Sequence, residues 1–212
     1  FVLTALATPL LYSRAYEFHK WVQPVLEKCG FKAPPELKLE EGKQYKLALL
    51  GFHRDASSLL YNLTQSDPEL AHETLVVDFN VALHPAIGKT GATVKYGDLA
   101  NPETLHHLGL NRCQVIVCTI PDDLLRGIDN RSLVHVVREM APQAVIIANA
   151  IAIDEVHAVY EAGADYVYLN RFEAAWTLQR AIRAGIDKQI DVFRTERQSR
   201  NHYSPNRKEI LS

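Results

Sequence analysis

Tyr45–Ser58, YKLALLGFHRDASS, decides the fold because it joins a strand, a glycine turn and the start of a helix. Tyr45–Leu50 is a short apolar run typical of a buried strand, and Gly51 interrupts it. From Asp55 onward, apolar residues recur at helical spacing, namely Ala56, Leu59, Leu60 and Leu63. A strand, a glycine turn and a helix N-terminus in this order predict a Rossmann-type phosphate loop.

The glycine pattern of this loop departs from the dinucleotide-binding pattern G-x-G-x-x-G/A. The three positions hold Gly51, His53 and Ala56, so only the first is glycine and the third is the permitted alanine. The second position normally lets the backbone approach a diphosphate closely, and the Cβ and ring of His53 fill that space. The helix N-terminus still presents free N–H groups and a partial positive charge. The loop therefore predicts a nucleotide that is smaller than a dinucleotide or differently placed.

Length and composition indicate one globular domain with additional segments. The chain has 212 residues, of which 47% are hydrophobic and 23% charged, as is ordinary for a globular protein. A net charge of −2 gives no reason to expect nucleic acid or an anionic membrane surface as a partner. Cys29, Cys113 and Cys118 form no CxxC pair. The last two flank or occupy an apolar run, so we expect buried free thiols, consistent with a reducing compartment.

Residues 1–42 are expected to form a segment of their own before a boundary near residue 43. Phe1–Tyr12 is apolar but shorter than the ~20 residues of a membrane span, and it lacks the basic start of a signal peptide. It is either the start of an ordinary buried helix or the end of a transmembrane helix. Tyr12–Phe31 continues with helical periodicity, and residues 33–44 read as a proline-containing polar linker.

Strands and helices alternate regularly in residues 43–171. After the first strand, five more apolar runs are predicted as strands: Thr74–Phe79, Ala92–Tyr96, Val115–Thr119, Ala144–Ala148 and Tyr166–Leu169. Continuous β-branched runs suit strands that are covered on both faces. The sequence therefore predicts an α/β, Rossmann-like, doubly wound, parallel six-stranded sheet with flanking N- and C-terminal helices.

Residues 172–212 are predicted as a dimerisation helix followed by a polar tail. Phe172–Phe193 has the pattern of one long helix with apolar side chains available for packing. No strand remains for it to cover, so it either folds back as a lid or meets a second copy of the chain, and we favour the dimer. Arginines and acids are interspersed in residues 194–212, which argues against nucleic-acid binding.

Polar residues follow the predicted strands at the ends where open parallel sheets bind ligands. The candidate binding residues are Gly51, Phe52, His53, Arg54, Asp55, Asp78, Asn80, Gly97, Asp98 and Thr119. Asp78 ends the second strand, where an acid either accepts hydrogen bonds from ribose hydroxyls or caps the next turn. Asp98 either accepts from an adenine amino group or is a plain turn residue. His53 and Arg54 can contact a phosphate, although Arg54 can instead lie on the solvent face of its helix.

No catalytic motif accompanies these residues. Tyr16 and Lys20 have the Tyr-x-x-x-Lys spacing, but they precede the sheet, whereas reductases carry that pair beside the cofactor cleft. His106 and His107 are adjacent in a predicted helix and point ~100° apart, which makes them poor joint metal ligands. The sequence has no G-x-S-x-G or H-E-x-x-H motif. We therefore predict a binding protein without a metal rather than an enzyme.

Tyr45–Ala175 resembles the N-terminal lobe of RCK (regulator of potassium conductance) domains, which is also called the TrkA-N domain. The matching regions are the Gly51 loop, Asp78 at the end of the second strand, ATVKYGDLANPETLHHLGL at residues 92–110, Ala162–Asp165 and Phe172–Ala175. Phe1–Tyr12 resembles the end of the last membrane helix of a Kef-type monovalent cation:proton antiporter.

The resemblance implies that the lobe dimerises, binds an adenine nucleotide (AMP, ADP, ATP or NAD(H)) and gates an attached cation channel or antiporter. By position, the phosphate would be lined by Gly51, His53, Arg54 and Asp55, the ribose by Asp78 and the adenine by Asp98, with Thr119 closing the cleft. His53 in place of a glycine favours AMP over a dinucleotide. Residues 148–150 lack the arginines of glutathione-sensing Kef proteins, which argues against glutathione.

The expected protein is thus a nucleotide-sensing domain on the cytoplasmic side of the cell inner membrane. It would act as a homodimer and gate a K⁺ or Na⁺/H⁺ antiporter whose membrane domain belongs to the same chain. The alternative is a soluble NAD(P)-dependent oxidoreductase or a stand-alone nucleotide-binding protein.

Overall fold

The computed structural model describes residues 44–200 and 207–211. The predictions for residues 1–42, including the Tyr16–Lys20 pair and Cys29, lie outside the described residues. No helix within the described ranges is long and apolar enough to cross a membrane.

Six strands form one sheet. They are β1 (Leu47–Leu50), β2 (Thr74–Val77), β3 (Thr93–Lys95), β4 (Val115–Cys118), β5 (Val145–Asn149) and β6 (Tyr166–Tyr168). All neighbouring strands are parallel, and their order is β3-β2-β1-β4-β5-β6. The order reverses between β1 and β4, which places the switch point of a doubly wound sheet there. The predicted fold class is therefore confirmed.

Helices connect the strands and follow the sheet. They are α1 (Arg54–Ser66), α2 (Pro68–His72), α3 (His84–Gly88), α4 (Pro102–His106), α5 (Asn130–Met140), α6 (Ile153–Glu161), α7 (Asn170–Ile186) and α8 (Ile190–Arg200), with a 3-10 turn at Leu110–Arg112. Asn101 caps α4 by accepting from the Glu103 N–H at 3.0 Å, and Pro102 takes the first helical position. Both features match the preferences of helix N-termini.

An apolar layer lies on each face of the sheet. Ala48, Leu50 and Ile116 belong to the layer that α5 covers, whereas Leu49 and Val76 belong to the layer beneath α1 and α3. Strands buried on both faces need apolar side chains at every position, which explains their continuous hydrophobic runs.

The two cysteines of the described chain lie within the core, as predicted. Cys113 and Cys118 are buried free thiols. Burial raises the pKa of Cys118 to about 12 and that of Cys113 to about 11, so both remain protonated at neutral pH.

The prediction of one continuous helix over Phe172–Phe193 is wrong. The chain leaves the helix at Lys188, which has a left-handed φ of +57°. The Gln189 N–H donates to the Ala184 carbonyl at 2.7 Å and the Lys188 N–H to the Gly185 carbonyl at 3.1 Å. This pair of bonds is a Schellman motif, which normally places glycine or asparagine at the left-handed position. Lysine at that position carries no stop signal, so the break is not evident in the sequence.

Arg138 joins the C-terminal part of α5 to the start of β6. Its guanidinium donates to the Gly163 carbonyl from Nε at 3.0 Å and from Nη2 at 2.7 Å. Nη2 also donates to the Asp165 carboxylate at 2.6 Å. Hydrogen bonds of this charged kind contribute about 1.5–3 kcal/mol each. The contact therefore fixes the edge of the sheet from which α7 departs.

Arg138→Ala should lower the free energy of unfolding by about 2–3 kcal/mol, because its charged hydrogen bonds are lost and part-buried carbonyl groups are left without this donor. Urea denaturation measures the change. Arg131→Ala, on an exposed face of the same helix, is the matched control and should change it by less than about 0.5 kcal/mol.

The pH dependence of this contact has a defined sign. Burial raises the pKa of Asp165, but bonds from the Ile146 N–H and from Arg138 outweigh it and hold that pKa below its ordinary value. Its contribution is therefore full above the unfolded pKa of about 3.9 and is lost as the pH falls through the lower folded pKa. A difference between Arg138→Ala and wild type that grows towards acid pH would contradict this account.

Candidate functional site

Gly51 makes the turn between β1 and α1. Its φ is +83°, in the left-handed region that residues with a side chain rarely adopt. A Cβ atom at this position would lie 2.2 Å from Ile120 Cδ1, in the loop that follows β4. Glycine is therefore required here both by the backbone angle and by the close approach of a neighbouring loop.

Asp78 holds the Gly51 loop to the end of β2. Its carboxylate is 3% exposed, and Oδ2 accepts from the Phe52 N–H at 2.7 Å. Oδ1 accepts from the Asn80 N–H at 2.7 Å, so Asp78 also caps the next turn. A carboxylate offers about four acceptor sites, which leaves two for another donor. The ribose contact expected for Asp78 stays a prediction.

Thr119 holds the same loop from the other side. It lies at the end of β4, is 1% exposed, and donates from Oγ1 to the Gly51 carbonyl at 2.8 Å. The Gly51 turn is thus fixed by side chains from both neighbouring strands. Such a turn is preorganised, since its conformation does not depend on a ligand.

The three residues that follow Gly51 have different environments in the structure. Phe52 is 4% exposed and packs with its side chain in the apolar layer under α1, so only its backbone is available to a ligand. His53 precedes α1 and accepts at its carbonyl from the Ser57 N–H at 2.8 Å. Arg54 is exposed on the first turn of α1, so both its phosphate contact and its solvent-face position stay predictions.

Asp55 connects the start of α1 to the start of α7. Its Oδ2 accepts from Asn170 Nδ2 at 2.6 Å. Burial raises the pKa of the neighbouring Tyr168 to about 12, and the Asp55 carboxylate adds to that shift. Asn170 was not predicted from the sequence, because residues 115 positions apart share no local pattern.

A cavity of about 240 Å³ opens at the carboxyl ends of the strands, beside the Gly51 turn. It is lined by Phe79, Tyr96, Asp98, Leu99, Ala100, Ile120, Leu124, Leu125 and Arg126. Asp98 is exposed at the rim, and its Oδ1 accepts from the Ala100 N–H at 3.0 Å. Of the predicted site residues, Asp98 lines this cavity and Gly51 contacts its wall through Ile120.

Gly97 and Asn80 do not line the cavity. Gly97 is buried, and a Cβ atom there would lie 2.4 Å from Val77 Cγ1, so this glycine serves close packing. Asn80 is exposed in the turn after β2, where its Oδ1 accepts from the Ala82 N–H at 3.2 Å.

Sequence analysis missed three side chains that line the cavity. Phe79 and Tyr96 are 62% and 47% exposed, which is unusual for aromatic residues at strand ends. Arg126 adds a cationic group from the loop between β4 and α5. An aromatic residue within two positions of a strand end was the available signal for the first two, whereas Arg126 had none.

A larger cavity, of about 550 Å³, lies on the face of the sheet beside α1. We call it the sheet-face groove, and its apolar lining consists of Leu47, Leu59, Leu63, Leu70, Val115, Val117 and Ile147. It lies away from the carboxyl ends of β2 and β3. Lys46, Asp55, Gln114, Thr119 and Tyr168 also line it, so the predicted site residues Asp55 and Thr119 border this groove and not the smaller cavity. Its apolar lining suits an apolar surface rather than a nucleotide.

Metal binding has no basis in the part of the chain that the structure describes. Within residues 44–200 and 207–211, no group of three or more His, Cys, Asp or Glu side chains is arranged to hold a metal ion.

Gly51→Ala should destabilise the protein by about 1–3 kcal/mol, because it forces a side chain into the left-handed region and against Ile120. Thermal or urea unfolding measures the loss. Gly88→Ala is the control, since a Cβ at that helical position meets nothing within 4 Å. Equal stabilities of the two variants would show that the turn is not constrained.

The TrkA-N domain model matches residues 47–170. Comparison of the sequence with curated proteins gives no match. Among solved structures, the TrkA-N domain of the inner membrane protein ybaL from Escherichia coli is 26% identical, with a TM-score of 0.55 and coverage of 65% of this chain and 96% of that one.

Two further structures share the fold at lower identity. The NAD(P)-binding domain of an exopolyphosphatase-related protein from Archaeoglobus fulgidus is 19% identical, with a TM-score of 0.53 and coverage of 68% of this chain and 99% of that one. The GsuK channel bound to NAD is 22% identical, with a TM-score of 0.51, and the match covers 72% of this chain but only 26% of that one. The match to the domain model runs from β1 to the first residue of α7 and spans more than half of the chain, so this protein belongs to the TrkA-N domain family.

Proposed function

We propose that this TrkA-N domain is a nucleotide-sensing regulatory module that binds AMP or a related adenine nucleotide and gates a monovalent cation:proton antiporter as a homodimer. The observation that carries the proposal is the cavity at the carboxyl ends of the strands, whose lining residue Ile120 packs against Gly51 in the turn that leads into α1. Related support comes from the ybaL domain, which belongs to an inner membrane protein. GsuK, which has the same fold, has been solved bound to NAD and to ADP.

The lining of the cavity favours an adenine base. Tyr96 and Phe79 offer aromatic surface against which a flat ring can stack. The Asp98 carboxylate at the rim is an acceptor, and it suits the exocyclic amino group of adenine. These groups would recognise the base. The Asp78 carboxylate would accept hydrogen bonds from the ribose hydroxyls, because its two bonds to backbone N–H groups leave lone pairs free.

The size of the cavity favours a mononucleotide. Its volume of about 240 Å³ lies below the ~300–1,000 Å³ that is usual for ligand pockets. The phosphate would lie at the N-terminus of α1, where free N–H groups and the helix dipole attract an anion. His53 and Arg54 are the side chains that would contact it. The ring of His53, at the second position of the glycine pattern, would take the room that a second phosphate needs.

The bond between Asp55 and Asn170 gives a route from the ligand to α7. A phosphate at the start of α1 repels the Asp55 carboxylate, which is the acceptor for Asn170 at the first residue of α7. Ligand binding would therefore favour a position of α7 in which this bond is altered. The shift in population is limited by the difference in affinity between the two positions.

The exposed face of α7 favours a homodimer. None of its residues is buried, and its apolar side chains are widely exposed, namely Phe172, Trp176, Leu178, Ile182 and Ile186. The Arg180 guanidinium lies 5.4 Å from the Trp176 ring and 5.9 Å from the Phe193 ring, which holds α8 against α7. The α7–α8 pair of one copy would pack against the apolar surfaces of a second copy, among them the sheet-face groove.

The proposed organisation follows from these parts. Residues 1–42 would connect to a membrane domain, residues 43–171 would sense the nucleotide, and residues 172–212 would dimerise. The domain would then lie on the cytoplasmic side of the inner membrane. Its role would be regulatory rather than enzymatic, with binding energy used to shift a conformational equilibrium.

A thermal-shift panel with AMP, ADP, ATP, NAD⁺ and NADH tests the nucleotide. We expect AMP to stabilise the protein most, because the cavity favours a mononucleotide. A ligand at about 100 times its Kd adds about 2.7 kcal/mol to the free energy of unfolding.

Tyr96→Ala should weaken AMP binding about tenfold by removing the stacking surface. Tyr166→Ala is the matched control, because both tyrosines are 47% exposed.

Stabilisation by NADH alone, together with turnover of a carbonyl substrate, would contradict the regulatory function and support the oxidoreductase alternative. Equal AMP affinities of Tyr96→Ala and wild type would show that the cavity is not part of the AMP-binding site.

Ile182→Asp should convert the dimer to a monomer, because it places a charge in the centre of the apolar face of α7. Sedimentation velocity measures the assembly state. Thr177→Asp, about 140° away around the helix, is the control and should remain dimeric. A wild-type protein that stays monomeric at all accessible concentrations would contradict the proposed dimer.

A further inference from the structure

Residues Arg207–Leu211 lie against the outer face of α1, about 150 positions away in the sequence. We call them the C-terminal latch. Their contacts with α1 include hydrogen bonds between residues 145 to 154 positions apart. Neither the domain family nor the proposed nucleotide site accounts for this contact, since the domain match ends at residue 170.

Arg207 and Glu209 form the polar half of the latch. The Arg207 guanidinium lies 4.3 Å from the centre of the Tyr61 ring, and Nη1 donates to Asn62 Oδ1 at 3.0 Å. Arg207 also pairs with Glu209, and the two side chains are only 15% and 14% exposed. Glu209 in turn accepts from Ser58 Oγ at 2.7 Å. A pair so shielded from solvent is screened less by salt than a surface pair.

Ile210 and Leu211 form the apolar half. Both pack against the apolar layer beneath α1. The Leu211 N–H donates to Ser57 Oγ at 2.9 Å, and Ser57 itself is 2% exposed. The latch therefore combines a cation–π contact, an ion pair, backbone bonding and apolar burial within five consecutive residues.

Ser57 links the latch to the nucleotide loop. Its side chain accepts from Leu211, while its backbone N–H donates to the His53 carbonyl at 2.8 Å. His53 is the residue that precedes α1. The latch therefore contacts the first turn of α1 at Ser57. Ser57 in turn is hydrogen-bonded to His53, which lies two residues after Gly51.

We propose that the C-terminal latch is a regulatory element whose docking on α1 sets the nucleotide affinity of the Gly51 loop. Docking fixes the first turns of α1 and so keeps their N–H groups aimed at the phosphate position. The coupling rests on the proposed nucleotide function, whereas the docking does not. Because linkage is reciprocal, nucleotide binding must strengthen latch docking by the same factor.

The test uses the full chain with Arg207→Ala and Glu209→Ala combined. Lys208→Ala is the matched control, since Lys208 is exposed between the two. Hydrogen exchange of the Leu211 amide reports docking, and isothermal titration with AMP reports affinity. We expect the double variant to exchange Leu211 faster and to bind AMP about fivefold more weakly, within the usual range of allosteric coupling. The Lys208→Ala variant should match wild type in both, and saturating AMP should slow Leu211 exchange in wild type.

Each other outcome has a defined meaning. The latch would be overturned by two results together. These are an unchanged hydrogen exchange of the Leu211 amide in the double variant and an unchanged exchange of the Ile210 amide in Leu211→Asp. A released latch with unchanged AMP affinity would overturn the coupling. If wild type binds no adenine nucleotide, the proposed function fails. The effect of the latch on α1 is then measured by hydrogen exchange of the Ser57 and Ser58 amides. Unchanged exchange of these amides in the double variant would overturn the proposal that the latch fixes α1. Near-ultraviolet circular dichroism verifies that each variant is folded.

Discussion

The bond from the Phe52 N–H to the buried Asp78 carboxylate is the interaction on which the site depends. It joins the turn after β1 to the end of β2, and Thr119 joins the same turn to the end of β4. With neither partner exposed, losing one of these bonds leaves a buried group unsatisfied at about 1–3 kcal/mol. The left-handed Gly51 turn is therefore held in one conformation before a ligand arrives, and the N-terminus of α1 always faces the same point.

This arrangement makes α1 the element at which separate parts of the chain meet. This helix follows the Gly51 turn, which lies beside the candidate nucleotide site. Asp55 contacts the first residue of α7, and Ser57 contacts the C-terminal latch. Both contacts lie within one turn of helix, so a small rotation of α1 changes them together. A regulatory domain needs such a shared element, because coupling between sites requires a structure whose equilibrium both sites bias.

The sequence predicted what depends on local patterns. Buried strands appeared as continuous β-branched runs, Gly51 as a turn, and Asn101 with Pro102 as a helix start, since each has a local physical cause. The break at Lys188 was missed because lysine carries no preference for the left-handed region. The contacts of Asp55 with Asn170 and of α1 with the latch were also missed, since pairs more than 100 positions apart leave no periodic signal. The cavity residue Arg126 was missed because it belongs to an irregular loop, which has no periodic pattern.

The proposed function assigns the altered glycine loop to a nucleotide sensor and not to a dehydrogenase. Hydride transfer requires a dinucleotide that crosses the switch point, so that its nicotinamide reaches the half of the sheet beyond β4. Here the cavity lies between the ends of β2 and β3 and the loop after β4, and His53 occupies the second position of the glycine pattern. The proposed mononucleotide would need only the part of the cleft beside the Gly51 turn. Under the proposed function, the aromatic cavity, the N-terminus of α1 and the Asp55 carboxylate joined to α7 would together convert nucleotide binding into a change in the position of α7.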